Sequence, residues 1–342
     1  MPIKDYIGIA IFLAIILVIP FGMENDYYLG VMVFAAINCL TCVGLCLLMG
    51  YAGQISIGHG AFVAIGAYTS GLLTAKFGWS PWAAMGAGAM LVTAVAFVVG
   101  VPTLRLKGHY LAMATLGFAS IIHTVTVAAT HLTGGPAGVL NIPRISLFGF
   151  NLDTDLKFYY FSWMAVILGL YVAFNLIHSR VGRGLRSIHG SEDAAAAAGV
   201  NTTAYKIQIF VISAVYASIS GSLYAYYVNY IDPDPFGVMH SVLLVTMVAV
   251  GGLHYVWGAI IGAILLTLLP ELLSFASDYL KNIGIQYQPD YDFLVYGAIL
   301  LSIMLFLPDG LFAGFAGGFR YLRRLAARGL KWKTEKKAAA CE

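Results

Sequence analysis

Few residues in this chain can do chemistry, and they gather in three places. The first is His178 to Lys206, HSRVGRGLRSIHGSEDAAAAAGVNTTAYK, a polar island in nearly continuous hydrocarbon. Arg180, Arg183 and Arg186 lead it, and Glu192 and Asp193 follow. The second is Gly50 to Phe62, GYAGQISIGHGAF, which sets Gln54, Ser56 and His59 among glycines at 50, 53, 58 and 60. The third is Gly108 to Gly135, with His123 in mid-span and Ser120, Thr124 and Thr126 beside it. None of the three is a catalytic constellation. No glycine loop ends in Lys-Ser or Lys-Thr, so the chain does not bind ATP through that device. No helix carries the paired His-x-x-His or Glu-x-x-His that would hold a metal. Cys39, Cys42 and Cys46 share one apolar run without polar neighbours in sequence and read as small packing residues, and Cys341 lies in the tail. The polar residues can dock, recognise and move; they cannot catalyse.

The elements that must position them are set by composition. Hydrophobic residues make up 60% of the 342 positions and charged residues 10%, where a soluble protein carries roughly 25% charged. Apolar runs of about 20 residues recur, the length that crosses a bilayer core. The expected fold is an all-α polytopic membrane protein of about ten membrane segments (8–10), some broken or re-entrant, with a cytoplasmic coupling helix. The spans fall at 6–22, 27–49, 58–75, 82–102, 109–131, 158–177, 206–230, 239–255, 256–273 and 291–307. The stretches 27–75 and 239–273 contain glycine-rich breaks, so one segment of each is a candidate re-entrant. The first span lacks a twin-basic start and a small-residue cleavage site and reads as retained. Residues 1–319 form a transmembrane domain and 320–342 a basic cytoplasmic tail that rests on anionic lipid head groups rather than nucleic acid.

Orientation follows from the basic residues. Fifteen of the nineteen fall on one side: Lys4, Arg105, Lys107, Arg180, Arg183, Arg186, Lys206 and the eight from Arg320 to Lys337. Lys76, Arg144, Lys157 and Lys281 fall on the other, with most of the acids. Positive charge stays inside, so both termini and the 178–206 island are cytoplasmic.

Within the island, Ser191 is placed to cap a helix whose first turn holds Glu192 and Asp193, where carboxylates suit the positive end of the helix dipole. Ala194 to Ala198 continue it with almost no side-chain bulk, and Gly199 can take the left-handed conformation that stops it. Asn201, Thr202 or Thr203 caps the next helix. The result is a smooth docking knob for a soluble partner. At Gly50 to Phe62 the glycines weaken a helix by ~1 kcal/mol each relative to alanine. The stretch either lines a pathway, admits a neighbouring backbone in a tight crossing, or forms a plain cytoplasmic loop. His123 with Thr124 either touches substrate or bonds a neighbouring helix. The loop from Leu132 to Lys157, with its TGGPAGV turn, reads as a structured outer rim or as a mere connector. Pro270-Glu271 ends a span, and Glu271 is the one carboxylate within a predicted span. So few ionisable groups do not support ion coupling, and energy for pumping enters from outside the chain, through the island. A self-sufficient secondary carrier would need the internal relay this sequence lacks.

These stretches, in this order over about residues 25 to 315, resemble the permeases of branched-chain amino acid ABC importers, of the LivM type. Asp193-Ala194-Ala195 followed by Gly199 is similar to the Glu-Ala-Ala-x-x-x-Gly signature of importer permeases, with Asp for Glu and without the terminal Leu-Pro. The resemblance implies ATPase-coupling roles for Arg183, Gly184, Arg186, Glu192, Asp193, Ala194, Ala195 and Gly199. It implies a bacterial inner-membrane location and no cofactor in this chain, ATP-Mg being bound by partner subunits. The partners it implies are a LivH-type permease subunit, two cytoplasmic ATPases and an extracytoplasmic substrate-binding protein. Relatives of this architecture also move urea, short amides or aromatic acids. The pathway candidates are Gln54, Ser56, His59, His123 and Thr124.

Overall fold

The computed structural model describes residues 3–22, 25–147, 150–282, 291–307, 310–312 and 314. The 320–342 tail and Cys341 lie outside them. All ten expected spans are helices. They are α1 (Ile3–Val18), α2 (Asp26–Cys46), α3 (His59–Ala75), α4 (Pro81–Thr103), α5 (His109–Ala128, then a single turn, α6, Thr130–Thr133), α7 (Asp155–His178), α10 (Thr202–Val228), α11 (Val238–Gly251), α12 (Val256–Asn282) and α13 (Tyr291–Phe306). Between α7 and α10 stand two shorter helices, α8 (Arg180–Gly190) and α9 (Glu192–Ala197). Apart from a two-residue ladder of β1 (Ser146–Leu147) on β2 (Phe150–Asn151), the described fold is helical.

Among the described residues seven helices are long and apolar enough to cross a membrane: α2 (through Tyr51), α4, α5, α7, α10, α12 (through Phe275) and α1 with its following turn. This is a polytopic helical membrane protein. At 14 residues, α11 reaches about 21 Å and falls short of a ~30 Å hydrocarbon core. It lies in the 239–273 stretch where a re-entrant segment was expected.

One expectation fails. Pro270 does not end its span, because α12 runs through it to Asn282. Proline removes one backbone donor, but membrane helices tolerate this where neighbouring groups absorb the freed carbonyl. Glu271 has a tyrosine as partner: the Tyr27 hydroxyl donates to it at 2.7 Å.

The centre of the bundle is α10, packed against α2, α3 and α4. It approaches α3 so closely that a Cβ on Gly66 or Gly221 would collide with the backbone of Ser218 or Val63. Small residues at crossings are how helices pack in a solvent as apolar as their own side chains. The three buried cysteines of α2 sit in this core as thiols, with Cys39 and Cys46 donating to the Ile260 and Leu253 carbonyls.

The rim is a built structure. Gly134, Gly135 and Gly138 all have positive φ, and the Thr133 hydroxyl donates to the Thr126 and Ala129 carbonyls. Val139 then bridges to Ile231 through two backbone hydrogen bonds, and Lys76 donates to the Leu132 carbonyl at 2.7 Å.

Candidate functional site

The polar island folds as a capped element. Ser179 accepts from the amides of Val181 and Gly182 and starts α8. Val181, Leu185 and Ile188 recur at helical spacing on its inner face, while Arg180, Arg183 and Arg186 face out. That spacing was legible in the sequence as an amphipathic helix, and the charge density hid it. Ser191 then accepts from the Ala194 amide and starts α9. Gly199, at φ +83°, ends α9. The Val200 amide bonds Ala195 O at 3.0 Å and the Gly199 amide bonds Ala196 O at 2.9 Å, the paired closure of a Schellman turn. Asn201 accepts from the Ala204 amide and opens α10.

On α9 the alanines divide. Ala195 is buried, and Ala194, Ala196, Ala197 and Ala198 are exposed and smooth. The two acids divide as well. Asp193 is 94% exposed, with the exposed Lys107 at 3.8 Å. Glu192 is held from inside, with Oε1 2.6 Å from Lys206 Nζ and Oε2 3.7 Å from Lys107 Nζ. Burial raises the Glu192 carboxyl, but the hydrogen bond and charge of Lys206, with Lys107, outweigh it and hold the group below the usual range. Lys206 is the residue that sequence reasoning missed. It was placed among the loop basics, yet it lies in the first turns of α10, only 3% exposed.

Directly against this element lies the interrupted helix. The last turn of α2 widens into a π segment at Leu47–Tyr51, and the chain then runs non-helically from Gly53 to Gly58 before α3. Such widened turns gather at functional sites. The Arg186 guanidinium sits 5.5 Å over the Tyr51 ring. His189 lies beside Gly53 and 5.4 Å from the His254 ring, and His254 Nδ1 is 3.4 Å from Gly50 O.

The freed polar groups of the interruption are met by protein. The Gln54 side-chain amide donates to Ala52 O, the Ile57 amide to Thr115 Oγ1 and the Gly60 amide to Ser241 Oγ. Ser56 Oγ is 3.0 Å from His59 Nδ1, and His59 Nε2 is 2.5 Å from Ser213 Oγ on α10. Of the five pathway candidates, Ser56 and His59 therefore come together, both fully buried, while Gln54 bonds only its own segment. Gln54 is half-buried. His123 and Thr124 stand apart on α5. Thr124 is exposed and bonds Ser120 O, while His123 is half-buried beside Gly237.

The geometry is that of a polytopic membrane protein with one interrupted helix and one exposed, capped short helix. The matches agree. Residues 27–304 match the family described as "Branched-chain amino acid transport system / permease component", and the chain belongs to that family. It is 30% identical over 292 residues to the high-affinity branched-chain amino acid transport system permease protein LivM of Escherichia coli, and equally to that of Salmonella typhimurium. The alignment covers 79% of this chain and 66% of those relatives, so the chain spans a little under two thirds of their length. It is 24% identical to the E. coli permease LivH over 80% of this chain and 90% of LivH, and 25% identical to the E. coli ribose import permease protein RbsC over 88% and 92%. No solved structure matches it.

Proposed function

We propose that this chain is one membrane-spanning half of the permease of an ATP-driven ABC importer for branched-chain, hydrophobic amino acids. Its counterpart is a LivH-type subunit, and a binding protein delivers substrate at the rim formed by Thr133 to Val139. Two ATPase subunits, which carry the ATP-Mg, engage the 178–206 element from the cytoplasm. The chain lies in a bacterial inner membrane with both termini inside. The distribution of lysines and arginines supports that orientation.

One observation carries the reading: α9 is a capped, exposed, nearly bulk-free helix fastened to the central helix of the bundle. Its shape has no function for a free-standing channel, and it suits insertion into a groove of a soluble partner. Asp193, Ala194 and Ala196 would meet that groove, with Arg183, Gly184 and Arg186 of α8 flanking it. ATP-driven closure of the ATPases would move α9 and switch the cavity between the two faces. The apolar side chains of leucine, isoleucine and valine require few polar contacts, which suits the sparse polar inventory near the interruption.

The test is the assembled importer in vesicles. Leucine uptake driven by ATP, competed by isoleucine and valine and not by urea, short amides or ribose, is the expected result. Ala196→Trp, at an exposed position, should insert and unfold like the parent protein and abolish uptake. Normal uptake by that variant, or ATP-independent accumulation by the single chain, overturns the reading.

A further inference from the structure

Glu192 and Asp193 are neighbours in one helical turn, and the structure gives them opposite surroundings. Asp193 points to solvent, and Glu192 lies against a buried ammonium. A lysine as buried as Lys206 is tolerated only when paired, since desolvating its charge is costly and one partner must answer it. Among the described residues Glu192 is the only acid within ion-pair distance of Lys206. We propose that Lys206 and Glu192 form an intramolecular clamp that makes α9 and α10 a single lever, so that Glu192 is a positioning residue and Asp193 alone of the two acids is left for a partner.

Little else would hold α9 in place. It has six residues, well below the ~12–15 at which an isolated helix persists in water. Its buried alanine is Ala195, its other tether is the exposed Lys107 at 3.7 and 3.8 Å from the two acids, and the chain on either side turns at Ser191 and at Gly199. Without the clamp, a push on α9 would be absorbed as rotation about Gly199 and Val200. With it, the push reaches α10. There Lys206, Ile209, Phe210 and Ser213 share one buried face, at i, i+3, i+4 and i+7. Ser213 contacts His59, the first residue of α3 after the interruption. A displaced α9 therefore moves the contact that pins the interrupted segment, through one rigid helix.

The partner's role here rests on the reading under Proposed function; the clamp rests on this chain's own contacts. The experiment therefore has two arms. In the first, amide hydrogen exchange is followed in the purified chain. Lys206→Met and Glu192→Gln should each speed exchange over residues 192–198 by about tenfold, the value of one lost charge-assisted hydrogen bond. Lys206→Glu combined with Glu192→Lys should restore it, and Asp193→Asn should leave it unchanged. In the second arm, leucine taken up per ATP hydrolysed by the assembled importer in vesicles should fall about tenfold with Glu192→Gln, within the usual range of coupling free energies. The double reversal should recover that ratio, and Asp193→Asn should weaken retention of the ATPases instead. Exchange that Glu192→Gln leaves unchanged overturns the clamp, as does a reversal that restores neither readout. Faster exchange in an importer that takes up nothing even as wild type leaves the clamp standing and removes the transport reading.

Discussion

The interrupted segment and the 178–206 island are both rich in glycine, and at several positions glycine does opposite work in them. At 50, 58 and 60 it is there for what surrounds it. A Cβ at Gly50 would collide with the Leu253 carbonyl, one at Gly58 with the Thr115 backbone, and one at Gly60 with the Ser241 hydroxyl. At 190 and 199 a Cβ would meet open space. There glycine serves the chain's own geometry, through the positive φ of Gly199 and the helix end at Gly190. At these positions the interruption is shaped by its neighbours and the island by its own backbone, while Gly53, with its positive φ, and Gly182, whose Cβ would strike the Ile177 carbonyl, run the other way. The tight-crossing reading of Gly50 to Phe62 has direct support at those three positions, and the plain-loop reading does not fit a segment whose Ser56, Gly58 and His59 are buried.

The comparison can be broken most sharply at Gly50. Gly50→Ala forces a side chain into backbone that cannot give way, and should cost about 3 kcal/mol or more, at or beyond the usual range for overpacking. The yield of monodisperse protein in detergent and its thermal unfolding midpoint should both fall, and an unchanged midpoint would remove the contrast. Next comes Gly199→Ala. It should cost about 1–2 kcal/mol through the left-handed backbone alone, read as faster exchange in 192–200 with the bundle's unfolding midpoint little moved. Gly190→Ala should gain about 0.5 kcal/mol, since alanine is the better helix former where no neighbour objects. A loss there would mean that the docking element is packed after all.

The smallest effect is one of pH. The folded Glu192 carboxyl lies below its usual value, so its contribution is fully present above the unfolded carboxylate range. That contribution is lost as pH falls through the depressed folded value. Protection of the 192–198 amides should fade across that acid window in the parent protein and show no such step in Glu192→Gln. The global unfolding midpoint should not record it.

The spans were legible because burial in lipid demands long apolar runs, and each of the ten runs is a helix, nine of them within a few residues of the expected bounds and α12 nine residues past its expected end. The caps at Ser191 and Asn201 and the stop at Gly199 were legible for a similar reason: they are local rules, satisfied within four residues. The helix through Pro270 was not legible, because proline disfavours a helix locally and α12 continues through it all the same. Nor was the contact of His59 with Ser213, or of the Gly60 amide with Ser241, partners more than 150 residues away.

By itself the sequence determined a polytopic helical protein with a capped alanine helix, because hydrophobic length and capping act over a few turns of chain. Only the tertiary structure decided which of two adjacent acids faces inward. It did so because a lysine that reads as a loop cation in one dimension is carried by α10 into the protein interior, where a buried charge must have a partner.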